Sequence, residues 1–171
     1  PQFYKQMAMA SGFERIFEVG PVFRAEKSYT NKHTTEFSGF DLEFSYITSF
    51  KDVMKMEEEL LTYMLKAVKE KYGEEIEELF GKEVIVPTTP FPVIKLADLY
   101  DELEKEFGYT VPDSEKGDLT TDAERLSYDW VMKKYGHEFL FITDYSAEKR
   151  AFYHMRDENG VPQGYDLILS L

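Results

Sequence analysis

The stretch that most constrains the fold is Phe17 to Ile47, FEVGPVFRAEKSYTNKHTTEFSGFDLEFSYI. Two segments of strand character, Phe17 to Glu26 and Glu36 to Ile47, flank a polar connection, Lys27 to Thr35, that is rich in hydroxyls and carries His33. That pattern predicts an antiparallel hairpin with a long loop. Side chains on a strand alternate with period 2, so Arg24 and Glu26 share one face of the first strand, and Phe37, Gly39 and Asp41 share one face of the second. A guanidinium can neutralise a phosphate bidentately, a carboxylate can accept from an exocyclic amine, and an aromatic ring can cover the flat face of a base. Together these are the parts of a nucleotide site. Taken alone, Arg24 and Glu26 read as an ordinary solvated charge pattern and Phe37 as an ordinary core residue, so the nucleotide reading rests on the whole string.

Around this hairpin the chain reads as helices and further strands, an α/β (α+β) pattern of antiparallel sheet flanked by helices. Phe3, Met7 and Ala10 at helical spacing, stopped by Ser11-Gly12, predict a short helix over Pro1 to Ala10. Ser49 is a candidate N-cap for an amphipathic helix over Phe50 to Tyr72, followed by a short acidic helix over Glu74 to Phe80 that Gly81 ends. Glu57 to Glu59 fan out over different faces of a helix, cannot converge on one ion, and are read as solvated. The run VPTTPFP forbids a long helix in Lys82 to Pro92 and reads as an extended connector, with a short edge strand at Val84 to Val86.

Leu96 to Phe107 is a second amphipathic helix closed by Gly108, and Thr121-Asp-Ala-Glu124 has the form of a capping box opening a helix to Tyr135. His137, just past that helix, reads as charge complementarity to its C-terminus. Glu138 to Thr143 is a buried-strand pattern, Ala151 to Met155 a second strand, Asp157 to Gly160 a hairpin turn and Gly164 to Leu171 a last strand, with hairpin connections favouring antiparallel pairing. His154 is read as a packed or surface histidine.

At 171 residues, 43% hydrophobic and 16% aromatic, the composition is that of one globular domain and excludes a disordered chain. No apolar run approaches membrane-spanning length and no secretory pattern is present, so no membrane association is expected. The absence of cysteine excludes disulfides and thiolate metal sites, and the expected location is cytoplasmic. A net charge of −13 argues against a broad nucleic-acid grip, which needs clustered Lys and Arg; any such contact must be local or lie elsewhere.

PQFYKQ, GFERIFEVGPVFRAE, the loop with His33 and EFSGFDLEFSY together closely resemble motif 2 of the class II aminoacyl-tRNA synthetases, in the subclass handling aspartate, asparagine and lysine. The resemblance implies that Arg24 is the catalytic arginine on the ATP α-phosphate, that Glu26 contacts the adenine amino group and that Phe37 stacks on the adenine. His33 falls where a family residue approaches the polyphosphate or the tRNA end. Gln2 and Lys5 match a PQ-x-x-K signature that positions the amino acid. Asp41, with Glu43 following, stands where aspartate enzymes carry Asp and asparagine enzymes Glu.

GDLTTDAER, FLFITDYSAEKRAFYHM and GYDLILSL resemble later elements of the same enzymes, with Ala151 in place of the usual proline. Asp166 matches the first of two carboxylates that hold the ATP-associated Mg²⁺. The implied activity is activation of aspartate by ATP and transfer to tRNA, with a homodimeric parent. An asparagine enzyme, a stand-alone amide-forming relative and a non-catalytic ATP- or amino-acid-binding paralogue are the alternatives. On this resemblance, residues 1–171 are expected to be a partial catalytic domain that starts just before motif 2 and ends before motif 3, and that is inactive in isolation. The hairpin would occupy 17–47, an insertion or connector 82–136 and further sheet strands 138–171.

Overall fold

The computed structural model describes residues 2–25 and 34–169. Contacts divide the chain into two compact units, Pro1–Thr48 and Ser49–Leu171.

In the first unit α1, Gln2–Ala10, ends where the Ser11 hydroxyl donates to the Met7 carbonyl at 2.7 Å. It is followed by β1, Arg15–Phe23, and β2, Glu36–Phe44, which form the expected antiparallel hairpin with Gly20 opposite Gly39 and Glu18 opposite Asp41. The ladder sits nearer the base of the hairpin than the sequence pattern suggested. It opens at Arg15, and β2 stops at Phe44, because Tyr46 turns to φ 61°, a left-handed conformation that ends an extended run. At the other end β1 stops at Phe23, although the Arg24 N–H still donates to the Thr35 carbonyl at 2.9 Å.

Period 2 sorts the hairpin into two unlike faces. Phe17, Val19, Phe23 and Phe40 lie on one, with Phe17 and Phe40 stacked at 5.8 Å between centroids. Glu18, Gly20, Val22 and Arg24 lie on the other, with Phe37, Gly39, Asp41 and Glu43.

The second unit is built on a sheet in the order β3-β4-β5, from Val93–Lys95, Phe139–Thr143 and Tyr165–Leu169. β4 and β5 pair antiparallel as expected, whereas β3 and β4 are parallel. Their connection carries two helices, a crossover that parallel pairing requires. The expected edge strand at Val84 to Val86 is not a strand; the extended pairing segment comes after the prolines, where backbone N–H groups are again available.

β4 is buried along its whole length and separates two cores. Leu140 and Ile142 face Leu96, Leu99 and Leu103 of α3 (Leu96–Phe107) and Ala123, Trp130 and Val131 of α4 (Thr121–Tyr135). Phe139 and Phe141 face Phe91 and Met54, with Phe50, Leu61 and Leu65 packed alongside. A strand covered on both faces reads as an unbroken apolar run, which is why EFLFIT carries no polar alternation.

α2 is one continuous helix, Phe50–Phe80, where the sequence suggested two; Gly73 interrupts the propensity but not the geometry. Ser49 is its N-cap as expected, and the Ser49 N–H donates to the Asp52 carboxylate at 3.1 Å. The cap of α4 falls one residue earlier than the T-x-x-E pattern indicated: the Thr120 hydroxyl accepts the Ala123 N–H at 3.0 Å. Residues 151–155 form turns instead of the expected strand, while the turn at Asp157 to Gly160 is present, with the Asp157 carboxylate accepting the Asn159 and Val161 N–H groups.

Two solvent-facing assignments also change. Glu57 accepts the Tyr165 hydroxyl at 2.7 Å and Glu58 the Phe91 N–H at 2.7 Å, so two of the three adjacent glutamates tie α2 to the sheet and to the proline-rich segment. Glu59 remains on the exposed face, 4.0 Å from Lys55. His137 is buried: Nδ1 lies 3.0 Å from the Phe139 N–H and Nε2 2.8 Å from the Thr88 carbonyl. These contacts fix the ring between two backbone segments, so His137 anchors residues 88 and 139 to each other instead of standing at a free helix end.

Across the α3–α4 interface Glu102 accepts the Trp130 indole N–H at 3.0 Å and the Lys134 ammonium at 2.8 Å. The Lys134 hydrogen bond first, then that of Trp130, holds the Glu102 carboxyl below the usual glutamate range. A depressed folded-state value means that this contribution to stability is complete above the ordinary glutamate range and is lost as pH falls through the lower folded value. Glu102→Gln is therefore expected to flatten the acid limb of stability, read by thermal unfolding from about pH 6 to about pH 3. An acid limb as steep as the wild type's would remove this pair from the pH response.

Candidate functional site

The polar face of the hairpin brings five of the sequence-predicted residues together in the first unit. At the end nearer the loop, the Arg24 guanidinium lies 5.4 Å from the centroid of Phe37. Both side chains remain solvent-accessible, with Phe37 37% exposed, and so present a cation beside an open aromatic face. At the base, α1 lies against the same face. Its Lys5 is buried, 7% exposed, and donates to the Asp41 carboxylate, while Gln2 donates to the Glu43 carboxylate at 2.6 Å. Glu18 stands opposite Asp41 in the ladder, so two like charges face each other, an unfavourable pairing that the Lys5 ammonium compensates. A buried ammonium must be paired, and Asp41 pairs it.

Phe37 and Asp41 are four residues apart on one strand, which at ~3.4 Å per residue separates the two ends by roughly 14 Å. One end offers a flat apolar surface and a phosphate-binding cation. The other offers an ammonium with further hydrogen-bond capacity and carboxylates that can receive a second ammonium. Between them lies the Gly20/Gly39 rung, bare of side chains. Glu26 and His33, the other nucleotide-site residues read from the sequence, lie outside the described residues.

Asp166 belongs to the second unit, on β5 opposite Ile142. Arg150 donates to its Oδ2 at 2.7 Å, and the Arg150 guanidinium lies 3.9 Å from the Tyr145 ring centroid. Burial first, and then the Asp166 charge, push the Tyr145 hydroxyl pKa upward, so that phenol stays protonated. The Asp166 side chain is 45% exposed, which leaves it reachable by a ligand. Among the described residues no three His, Asp or Glu side chains are grouped to hold a metal ion. Mg²⁺ commonly takes one or two carboxylates, with waters and substrate phosphates completing its octahedron, and Asp166 fits one such position.

Sequence reading missed three contacts of this kind. In the sequence Glu43 stands out only as following Asp41, and nothing local marks Arg150. Glu57 was set on the solvent face, although Tyr165, which it holds, adjoins Asp166. The partners are 41, 16 and 108 residues away, and no local pattern encodes such a separation.

Comparison with known proteins gives one answer. The family described as tRNA synthetases class II (D, K and N) matches residues 1–170. An aspartate–tRNA(Asp/Asn) ligase of Methanopyrus kandleri is 41% identical over 168 residues, covering 98% of this chain and 37% of that protein. An aspartyl-tRNA synthetase structure from Entamoeba histolytica superposes with a TM-score of 0.86 at 31% identity, over 99% of this chain and 35% of that one. An asparaginyl-tRNA synthetase of Pyrococcus horikoshii, solved with asparaginyl-adenylate, gives a TM-score of 0.80 at 31% identity, over 98% of this chain and 37% of that one. The chain therefore belongs to the class II aminoacyl-tRNA synthetases, in the branch that handles aspartate, lysine and asparagine. It spans well under half the length of these relatives.

Proposed function

We propose that this chain forms the substrate-activating part of an aspartate–tRNA ligase. The observation that carries the reading is that a cation beside an open aromatic face, Arg24 and Phe37, and an ammonium on a carboxylate, Lys5 and Asp41, lie on one face of one hairpin. Their separation of roughly 14 Å suits the two ends of an aminoacyl-adenylate.

In the proposed reaction an oxygen of the aspartate α-carboxylate attacks the α-phosphorus of ATP in line. A new P–O bond forms, the bond to the bridging oxygen of the β-phosphate breaks, and pyrophosphate leaves. The terminal ribose hydroxyl of tRNA then attacks the acyl carbon, releasing AMP. No covalent enzyme intermediate is involved, so the work of the residues is positioning and charge stabilisation.

Phe37 covers the adenine and Arg24 receives the charge developing on the α-phosphate, with Glu26 on the adenine amino group and His33 toward the polyphosphate or the tRNA end. Lys5 donates to a substrate carboxylate while still bonded to Asp41; Asp41 and Gln2 complete the amino-acid end. Mg²⁺, held in part by Asp166, would neutralise polyphosphate charge. The tRNA contacts are local or lie in other parts of the protein, in keeping with the net charge of −13. A cytoplasmic homodimer belongs to the same proposal; among the described residues no helix is long and apolar enough to cross a membrane.

Asparagine is the competing substrate, favoured by the likeness to the Pyrococcus asparaginyl enzyme. Asp41 weighs against it, since a shorter carboxylate leaves the Lys5 ammonium placed for a charged side chain. Pyrophosphate exchange by the full-length protein with aspartate or asparagine decides between them: aspartate-dependent exchange is expected, and exchange with asparagine alone would overturn the reading. Asp41→Glu lengthens the carboxylate by one methylene against a buried ammonium. Aspartate activation is expected to fall about tenfold or more while ATP affinity persists, since a misplacement of ~1 Å is enough for such a loss. Equal loss of both would point to a collapsed hairpin.

A further inference from the structure

The Gly20/Gly39 rung lies midway between the two ends of the polar face, about 7 Å along the strands from each. Glycine inside a strand is less favourable than alanine, so each of these two calls for a reason. For Gly39 the reason is internal: a Cβ there would come within 2.8 Å of Val22 Cγ2, so a side chain must displace that valine. For Gly20 no such reason exists among the described residues. Its backbone is not in the left-handed region, it precedes Pro21 in an ordinary strand, and a Cβ would meet nothing within 4 Å among the described residues. Neither conformation nor packing accounts for the missing side chain.

We propose that Gly20 is a substrate-positioning residue whose missing side chain keeps open the floor on which the ribose–phosphate link of the aminoacyl-adenylate lies, between Arg24 and Phe37 at one end and Lys5 and Asp41 at the other. This inference rests on the adenylate reading given above. Glycine in a strand interior often marks a point where a ligand approaches the backbone closely, and here the bare rung faces the same side as the groups that would grip the ligand's two ends. A methyl group at Gly20 would stand up from the floor of the groove without touching any described residue. It would lift the middle of the ligand while leaving both of its anchors in place.

The test uses the full-length protein and its Gly20→Ala and Gly39→Ala variants. Three quantities are compared: thermal midpoint, affinity for a non-hydrolysable aspartyl-adenylate analogue, and affinity for free aspartate, which engages only the Lys5–Asp41 end. For Gly20→Ala the expected result is an unchanged or raised midpoint and unchanged aspartate binding, with a loss of about 10–100-fold in analogue affinity and in kcat/KM for pyrophosphate exchange. Gly39→Ala is expected to lower the midpoint through Val22, the behaviour of a glycine needed by the fold. A Gly20→Ala protein that binds the analogue and turns over like wild type overturns the proposal, as does one whose midpoint falls together with its affinity. A wild-type protein that itself neither binds the analogue nor supports exchange overturns the adenylate reading and this inference with it, and is recognised before any variant is made.

Discussion

Arg24→Ala in the full-length protein is expected to cost about 2–4 kcal/mol of transition-state stabilisation, or roughly 30- to 1,000-fold in aspartate-dependent pyrophosphate exchange. The size follows from what the guanidinium does at each stage. In the free protein Arg24 is exposed and its described side-chain contact is the Phe37 ring at 5.4 Å, an interaction worth about 0.5–1 kcal/mol at an exposed site. In the transition state it meets charge that is only then developing on the α-phosphate, so its contribution there exceeds its contribution to folding. Thermal stability should accordingly hold within about 1 kcal/mol of wild type while exchange falls. Exchange kinetics unaffected by the substitution would sink the assignment of Arg24; a parallel fall in stability would move its role to the hairpin itself.

The second large effect concerns the scaffold. Leu99 on α3 is fully buried in the core shared with Leu103, Trp130, Leu140 and Ile142. Leu99→Ala removes a side chain's dispersion contacts and leaves a cavity that close-packed neighbours refill only in part, for an expected loss of about 2–5 kcal/mol. Trp130 is the sole tryptophan of the chain and sits in the same core, so its fluorescence during denaturant unfolding reports the loss directly. A change below about 0.5 kcal/mol, the size typical of surface substitutions, would show that the core around α3 is not closed as described.

Much of this architecture was legible along the chain because the interactions that encode it are local. Leu96–Phe107 starts where its apolar period begins, Thr121–Tyr135 starts within one residue of the capping pattern, and Gly108 and Gly136 take left-handed conformations to end them. A helix carries its hydrogen bonds within itself, so its ends are marked by residues at its ends. The hairpin was likewise readable, and alternation alone put Phe37, Gly39 and Asp41 on one face of the second strand, since a strand's two faces are set by its pleat, while the pairing register decided that Arg24 shares that face.

Tertiary structure decided the pairings that join residues far apart. Nothing near Glu57 distinguishes it from Glu59, yet Glu57 meets Tyr165 and Glu59 faces solvent; the difference is made by a strand more than one hundred residues later. His137 becomes a buried anchor only because the proline-rich segment passes over it. The parallel pairing of β3 with β4, and the turns at 151–155 in place of a strand, depend on which backbone groups find partners in the folded sheet.

The sequence by itself determined the family, the hairpin, and which residue types could grip a nucleotide and an amino acid, because each is written in spacing and side-chain chemistry. Only the tertiary structure decided that α1 lays Lys5 on Asp41 and Gln2 on Glu43, that Arg150 holds Asp166, and that Gly20 and Gly39 pair in one rung of the ladder. Those facts depend on distances through space between separate elements, which chain order does not specify until burial of the apolar faces has brought the elements together.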